Sequence, residues 1–564
     1  MSFRAPVSEL SDTLFGVAGL DALLKAEVFS GVDRETVEAV LQGAGEFAEG
    51  VLAPLNRGGD IEGARFENGR VFAAPGFAEA YRRYVSGGWS GLAAAPEFGG
   101  QGLPRAVAIA VFEIIHAANM SFGLCPLLSD GAIHCLSTHG TERQKALYLR
   151  KLVSGAWTGT MNLTESQAGS DLALLRCKAA PDGGAFRITG QKIFITWGDH
   201  DCADNIVHLV LARLPDAPDG VKGISLFLVP KFLVDETGKP GAASDLRPLS
   251  IEHKLGIHGS PTCVMSFEGA RGEMVGAPGQ GLALMFTMMN SARLNVGMEG
   301  VGIAERATQQ ALSYARERRQ GRSPWSEQYP AAIFDLPDVR RMLMLMKAKT
   351  QAARSICLLT AVNADLAEHA STPNEREAAR LREEFLVPIA KAWSTDVGVE
   401  VASLGVQVHG GAGFIEETGA AQYYRDARIA PIYEGTNGIQ ALDLAGRKLG
   451  LANGKGVRDL LIEMRATQIA DKSVAAALHA AIAAAERATD WMIEARGSAD
   501  SLGAATTYLK LMGDVLGGWL LSKGNNAALA RFYAAQIVSA APGLAIAIES
   551  GAADLQGDGV FPAA

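Results

Sequence analysis

The chain has 564 residues, and its 61 acidic against 52 basic side chains leave a formal net charge of -9, which gives no support to a nucleic-acid partner. At 48% hydrophobic and 20% charged, it carries apolar material for roughly two to four folded domains and is not a disordered chain. Its six cysteines, Cys125, Cys135, Cys177, Cys202, Cys263 and Cys357, include no close metal-binding pair and read as buried thiols of a reducing compartment; no metal is expected.

The N-terminal stretch MSFRAPVSELSDTLFGVAG has acidic residues and no long apolar run, so it does not read as a secretory signal. Residues 1–35 form a short helical extension, with Leu20, Leu23 and Leu24 at helix-compatible spacing but too little mass for a core. Helix dominates 36–157, in segments 37–52, 77–85, 105–115 and 141–151. Within it, GGWSGLAAAPEFGGQGLP at 87–104 is dense in glycine. It lacks the Lys-Ser/Thr pair and preceding strand of a phosphate loop, which leaves a packing loop or a direct ligand contact.

Near Trp157 the pattern changes. FRITGQKIFIT, NIVHLVLARL, GISLFLVP and TCVMSFEG mix β-branched, aromatic and alternating residues between glycine or proline breaks, which predicts an antiparallel β-domain over 158–280. The absence of strand-helix alternation disfavours a doubly wound dinucleotide fold. Helix returns over 281–450, first as a pair of helices spanning 281–320 and then as 336–369 and 375–404, whose apolar stripes make a bundle. Residues 451–564 are again helical and alanine-rich, with aromatic breaks at Tyr508, Trp519 and Tyr533, ending in a loop, GAADLQGDGVFPAA. No run approaches about 18 uninterrupted apolar residues, so a cytoplasmic protein without a membrane span is expected.

Several segments carry candidate chemistry. TGTMNLTESQAGSD at 158–171 clusters Thr160, Thr164, Ser166 and Ser170 among glycines, either as a turn or as donors to a planar heterocycle or phosphate. In GQKIFITWG at 190–198, Phe194 and Thr196 offer a stacking face and a hydroxyl, or simply core. His258 in KLGIHGSPT has no second base or metal ligand nearby in sequence and reads as structural. Asn290 and Arg293 are three apart and share a helix face, to serve a polar ligand or with Arg293 simply pairing with an acid, and Arg318 in YARERRQG either meets a phosphate or is a surface arginine. QVHGGAGF at 407–414 exposes glycine N–H groups without a phosphate-loop signature. In RDARIAPIYEGTNGIQ at 425–440, Pro431 and Gly435 place Glu434 on a turn between helical runs, as either an exposed acid or a partly desolvated base.

Together with PEFGGQG at 96–102, these segments resemble the flavin-dependent acyl-CoA dehydrogenase family over about residues 36–450. The preface and C-terminal region are similar to the longer bacterial subgroup that includes 3-methylmercaptopropionyl-CoA dehydrogenase. The resemblance implies an α+β, mainly helical chain: an N-terminal helical domain, a middle β-barrel domain and a C-terminal four-helix bundle, with an additional helical domain over 451–564. It implies FAD between the β-domain and the bundle, and a dimer or tetramer. Glu434 is then the base that removes the α-proton of an acyl-CoA while the β-hydrogen leaves as hydride to flavin N5. The thioester carbonyl would lie between the Glu434 N–H and a ribityl hydroxyl, and the product is the trans-2-enoyl-CoA. Electrons pass to electron transfer flavoprotein; the alternatives are an acyl-CoA oxidase or a non-catalytic CoA-binding scaffold.

By the same resemblance, Met161, Leu163 and Thr164 line the flavin, Phe194 and Thr196 hold its other side, and Ser170 touches both flavin and CoA. Arg318, Gln407 and Gly411 meet the FAD pyrophosphate and adenine, Thr436 and Gly438 lie near the cofactor, and Asn290 and Arg293 face CoA. The chain departs from the family's pattern in four places. Ala292 stands where some branches carry their base, so Glu434 has no rival there; His258 replaces an arginine; the usual phenylalanine after YARER is missing; and Ser166 replaces a common proline. Compatible substrates are 3-methylthiopropionyl-CoA and straight-chain acyl-CoAs.

Overall fold

The computed structural model describes residues 3–555; the end of the tail read as a loop, residues 556–564, lies outside the described residues. The chain divides into two compact units, one built on Gly43–Asn295 and the other on Pro6–Gln42 with Val296 onward. The class is α+β, with helices before and after a middle β-sheet.

The first unit is organised by the helix Arg105–His139, which is 35 residues long and apolar on nearly every face, as a wholly buried helix must be. It breaks at Asn119, whose backbone leaves the helical region (φ -159, ψ 92) and whose side-chain oxygen accepts from the Phe122 N–H at 3.1 Å, restarting the helix with its own cap. The strands, in chain order, are β1 Arg65–Glu67, β2 Arg70–Phe72, β3 Trp157–Asn162, β4 Lys178–Asp182, β5 Ala185–Thr196, β6 Asn205–Arg213, β7 Ile224–Pro230, β8 Phe232–Val234, β9 Pro240–Ala243, β10 Leu246–Ile251 and β11 Thr262–Val275. The main sheet runs β10-β11-β5-β4-β6-β3, with β7 pairing both β11 and β6.

Two readings of this region are corrected. The sheet is mixed rather than purely antiparallel, because β3 runs parallel to β6 and β4 touches β6 in the same sense. And the first residues of the hydroxyl-rich segment are a strand: β3 is buried throughout, as a strand covered on both faces should be. Gly159 lets this strand lie against the long helix, its N–H donating to Ser129 Oγ at 3.1 Å.

In the second unit, three long helices carry the bundle: the Val296-onward part of Gly281–Glu317, Pro337–His369 and Pro373–His409. Gly281–Glu317 is a single helix of 37 residues, not a helical pair; its glycines are tolerated because neighbouring helices pack onto them. A Cβ on Gly297 would stand 2.5 Å from the Ala390 carbonyl, and one on Gly398 would stand 2.9 Å from the Gly300 carbonyl, so these helices approach nearly backbone to backbone. Pro373–His409 starts at a reciprocal capping box between Thr372 and Glu375 with proline at its first turn.

The C-terminal helices Lys455–Ala466, Lys472–Glu494, Ala499–Lys523, Ala527–Gln536 and Ala541–Glu549 belong to the same unit. The helix breaks expected at Tyr508, Trp519 and Tyr533 are not found: the first two lie inside Ala499–Lys523 and the third inside Ala527–Gln536, all three as buried core. Trp393 Nε1 donates to Asp514 Oδ1 at 3.0 Å and ties this region to the bundle.

Two stretches, Arg105–His139 and Ala527–Glu549, are long and apolar enough to cross a membrane by composition, which the uninterrupted-run criterion missed. The apolar window of the first is wholly buried within the protein, and the second is interrupted by a 3-10 turn at Val538–Ala540. All six cysteines are free and buried.

The N-terminal helix Val7–Gly16 is held by a buried ionic cluster. Arg354, with no exposed side-chain surface, donates to Glu9 at 2.9 Å and to the buried Glu305 at 2.9 Å, and Lys347 also reaches Glu9. Burial alone would push the Glu305 carboxyl up, but Lys347 and Arg354 outweigh it and hold it below the usual range. Its stabilisation is therefore present above the unfolded value of 4.5 and lost as the pH falls. Arg354→Met leaves Glu305 buried with Lys347 at 3.8 Å and the Gln309 amide, donating at 2.9 Å, in partial compensation. It is expected to lower stability by about 3 kcal/mol in denaturant titration at neutral pH.

Candidate active site

In the second unit, the helix Ala420–Ala427 ends in a series of turns, and the next helix, Asn437–Asp443, begins with Thr436 Oγ1 accepting from the Ile439 N–H at 3.2 Å. Between them Glu434 adopts a left-handed backbone, φ 56, followed by Gly435 at φ 83. A non-glycine residue held there costs on the order of 1–3 kcal/mol and persists only where its surroundings over-determine it. The surroundings here do so from two sides.

On one side, the buried Lys391 of helix Pro373–His409 donates to the Gly435 carbonyl and to Asn437 Oδ1, both at 2.9 Å. Asn437 Nδ2 in turn donates to the Ala392 carbonyl at 3.0 Å and to Asp396 Oδ1 at 2.8 Å. On the other side, the Tyr433 hydroxyl donates to the carboxylate of Glu299, a side chain of helix Gly281–Glu317 that is fully buried. Asn437 N–H closes the turn onto the Pro431 carbonyl at 3.0 Å, and Gln440 Nε2 reaches the Glu434 carbonyl at 3.4 Å. Glu434 itself is half-buried.

The electrostatics follow from this burial. Desolvation pushes Glu299 up to about 8; the Glu434 charge pushes it further in that direction, while the Tyr433 hydrogen bond and Lys391 oppose the shift. Tyr433 is raised well above its ordinary value by burial and by Glu299. Asp396 is likewise raised by burial, against the pull of Asn437 and Lys391. A carboxylate on a fixed turn beside a dry, largely protonated second carboxyl is suited to proton abstraction.

The structure places the other sequence-derived candidates of this unit as follows. Thr436 spends its hydroxyl on the helix cap just described, and Gly438 lies exposed in that helix's first turn. Arg318, just beyond Gly281–Glu317, is exposed and donates to Gln320 Oε1 at 3.0 Å. Gln407 is exposed near the end of Pro373–His409, and Gly411 is exposed on the 3-10 turn Gly410–Phe414.

In the first unit, Met161 is buried near the end of β3, and Leu163 and Thr164 follow the strand half-buried. The Thr164 carbonyl accepts from the Ile193 N–H at 2.9 Å, and Thr160 Oγ1 donates to the Thr196 carbonyl at 2.9 Å, so the threonine loop is sewn to β5. Phe194 lies where β5 carries an extra residue: the register passes from Lys192 opposite Met265 to Ile195 opposite Cys263. This bulge gives Phe194 φ 60 and leaves its ring 59% exposed, an uncommon state for a large aromatic in a strand and one that bulges beside binding sites produce. With half-buried Thr196 and Thr164, the exposed ring fits a planar heterocycle that offers hydrogen-bonding edges. Ser170 is exposed. Arg293 is 3% exposed, donates weakly to Asn290 Oδ1 at 3.4 Å and lies over the Phe286 ring at 5.6 Å.

His258 is structural, as read. Its Nδ1 faces the Asp60 carbonyl at 2.9 Å and carboxylate at 3.0 Å, and its Nε2 faces the Lys254 carbonyl at 2.9 Å.

Sequence reasoning missed Glu299, Lys391 and the buried pair Lys192–Glu165. Glu299 carried a signal: it is a lone acid in the apolar helical run LNVGMEGVGIA, between two glycines that mark a close helix seam. Lys192 had one too, as a lysine at an inward position of an alternating strand. Its ammonium donates to Glu165 Oε1 at 2.8 Å and to the Leu163 carbonyl at 2.9 Å, while Glu165 also accepts from the N–H groups of Arg176 and Cys177.

Comparison with known proteins gives four family matches in chain order: acyl-CoA dehydrogenase N-terminal domain over 34–156, middle domain over 160–270, C-terminal domain over 279–449, and acetyl-CoA dehydrogenase C-terminal like over 460–556. The chain is 47% identical over 532 residues to 3-methylmercaptopropionyl-CoA dehydrogenase of Ruegeria pomeroyi, covering 92% of this chain and 90% of that protein. In fold it is similar to Caenorhabditis elegans ACDH-11, solved in complex with C11-CoA, at TM-score 0.79 and 20% identity over 96% of this chain and 91% of the other. It is also similar to a chain from the study of the electron transferring flavoprotein of Acidaminococcus fermentans, at TM-score 0.61 and 27% identity, covering 74% of this chain and 98% of that one.

The Lys192–Glu165 pair leads to a direct test. Lys192→Met leaves Glu165 buried without its cation, which is expected to cost about 3–5 kcal/mol. It should also speed amide exchange across residues 163–177, read by hydrogen-exchange mass spectrometry, with the rest of the sheet little affected.

Proposed function

The chain belongs to the acyl-CoA dehydrogenase family, and from that premise we propose that Glu434 is the base of an FAD-dependent α,β-dehydrogenation that turns an acyl-CoA thioester into the trans-2-enoyl-CoA. The observation that carries the assignment is the left-handed Glu434 on a turn strapped by Lys391, Asn437 and Tyr433. Strain that the surroundings enforce around a half-buried carboxylate is characteristic of a working group rather than of a connector.

FAD, when bound, accepts the β-hydrogen as hydride and passes the electrons to electron transfer flavoprotein. On this chain, Met161, Leu163 and Thr164 line the ring system, Phe194 and Thr196 support it from the other side, and Ser170 reaches both cofactor and CoA. Arg318, Gln407 and the exposed N–H groups around Gly411 serve the pyrophosphate and adenine end, while Thr436 and Gly438 lie near the cofactor. Asn290 faces CoA, and the buried Arg293 orients it. Glu434 removes the α-proton, and its backbone N–H holds the thioester carbonyl. A hydrogen bond that strengthens as enolate charge develops lowers the barrier of that step.

The middle sheet is read as barrel-like, because β11 pairs β5 and β7, β7 pairs β6, and β6 meets β4, which pairs β5. The similarity to the Ruegeria protein favours 3-methylthiopropionyl-CoA, with straight-chain acyl-CoAs as the competing class. One methylene is worth only about 1–3 kcal/mol in such pockets, so a panel of acyl-CoAs with a dye acceptor decides. A homodimer or homotetramer in the cytoplasm completes the reading. Rapid oxygen consumption by the reduced protein would make it an oxidase instead, and failure to take up FAD would make it a scaffold.

Glu434→Gln is expected to remain yellow and bind acyl-CoA, with flavin bleaching in single-turnover absorbance measurements slowed by about 10²–10⁴-fold. Bleaching at the wild-type rate rejects Glu434 as the base.

A further inference from the structure

Glu299 has no part in the family's motifs as this chain displays them, yet it is the group to which the turn is bound. It projects from helix Gly281–Glu317 at the seam where Gly297 and Gly300 admit helix Pro373–His409. Its side chain is entirely buried; Oε1 accepts from Tyr433, the residue preceding Glu434, and Oε2 has no hydrogen-bond partner. A buried carboxyl with one unsatisfied oxygen is costly and calls for an explanation. A glutamine, or any apolar residue, would fill this position at lower cost if packing were its only role.

The titratable and charged groups that bear on Glu299 are Tyr433 and Glu434 from the turn and Lys391 from the neighbouring helix. Lys391 donates to Gly435 and Asn437, and its charge opposes the rise of Glu299. Two carboxyls therefore act on one another, Glu299 fully buried and Glu434 half-buried, with Tyr433 hydrogen-bonded to the one and adjacent in sequence to the other.

We infer that Glu299 is a positioning residue for the reaction, a second carboxyl that fixes the turn through Tyr433 and sets the basicity of Glu434 through its own charge. This rests on the reading of Glu434 as the base. No proton passes between Glu299 and substrate; Glu299 exchanges its proton with solvent as the pH changes. Where Glu299 is protonated, Glu434 carries the only charge of the pair. Once Glu299 ionises, like-charge repulsion makes Glu434 a stronger base. Burial places that transition at about 8, and the Tyr433 donor opposes the rise.

Two consequences can be measured. First, the rate of flavin reduction in the wild-type holoenzyme should show a lower limb from Glu434 and a second, upward step of roughly threefold near pH 8. Glu299→Gln should keep the lower limb and lose the step. Tyr433→Phe, which removes the donor that favours the ionised carboxyl, should move the step to higher pH. Second, a carboxyl whose folded value lies near 8 against an unfolded value of 4.5 contributes stability that is complete below the unfolded value and lost as the pH rises through the folded one. The melting temperature of the wild type should therefore fall more steeply between those values than that of Glu299→Gln, in the presence or absence of acyl-CoA.

A wild-type profile without the upper step, a step retained in Glu299→Gln, or parallel melting curves overturn the inference. An inert Glu434→Gln beside any of these leaves the base assignment standing. A Glu434→Gln enzyme that still bleaches while Glu299→Gln is dead removes both, since Glu299 would then be the base itself.

Discussion

The near-contact of two helices at Gly297, Gly300 and Gly398 is the constraint on which the second unit depends. It brings backbone to backbone two elements that otherwise would stand a side chain apart. A seam that tight has no room for most side chains, so the few polar groups beside it, Glu299 on one helix and Lys391 on the other, are committed to specific partners. Both partners lie on the turn that carries Glu434. The geometry of this turn is thus a consequence of helix packing: the turn is held by rigid elements, and the strain at Glu434 is carried by bonds anchored on the buried Lys391 and Glu299.

The first unit uses a different device for the same purpose. Phe194 is exposed not because the strand ends but because β5 carries one residue more than β11 opposite it, and the bulge turns the ring out of the sheet. Lys192, two residues earlier, points inward and binds Glu165 and the Leu163 carbonyl. One strand therefore presents the aromatic wall and also fixes the loop of threonines beside it. The buried ion pair contributes little net stability by itself, but it selects one conformation for a loop rich in small polar residues that would otherwise have several.

Much of this was legible in the sequence, and the parts that were not share a cause. The order of helical and β regions followed from periodicity, and the turn at Glu434 followed from Pro431 and Gly435. What periodicity cannot report is partnership between residues far apart in the chain, such as Glu299 with Tyr433 or Lys391 with Gly435. Helix Gly281–Glu317 read as two because its glycines resemble breaks, and only the facing helix shows that they are contact points. β3 did not read as a strand, its segment fitting either a turn or a set of donors, because a strand covered on both faces need not alternate. Tyr508, Trp519 and Tyr533 read as interruptions although each is core within a helix. Lys192, Lys391 and Glu299 were overlooked for the same reason: a charged residue in an apolar context looks like an exception until its partner is found.

The extra helices beyond residue 450 extend the same logic to a part of the chain that carries no candidate ligand residue of its own. Trp393 lies on the helix that supplies Lys391, and its indole N–H is satisfied by Asp514, while Gly513 leaves space for the ring. Removing that region would uncover a large aromatic and a buried donor two residues from Lys391, on the same helix. The segment is therefore better regarded as the outer layer of the bundle than as an appendage: helix Ala499–Lys523 packs on Pro337–His369, on Pro373–His409 and on Asn437–Asp443, the helix that follows the Glu434 turn.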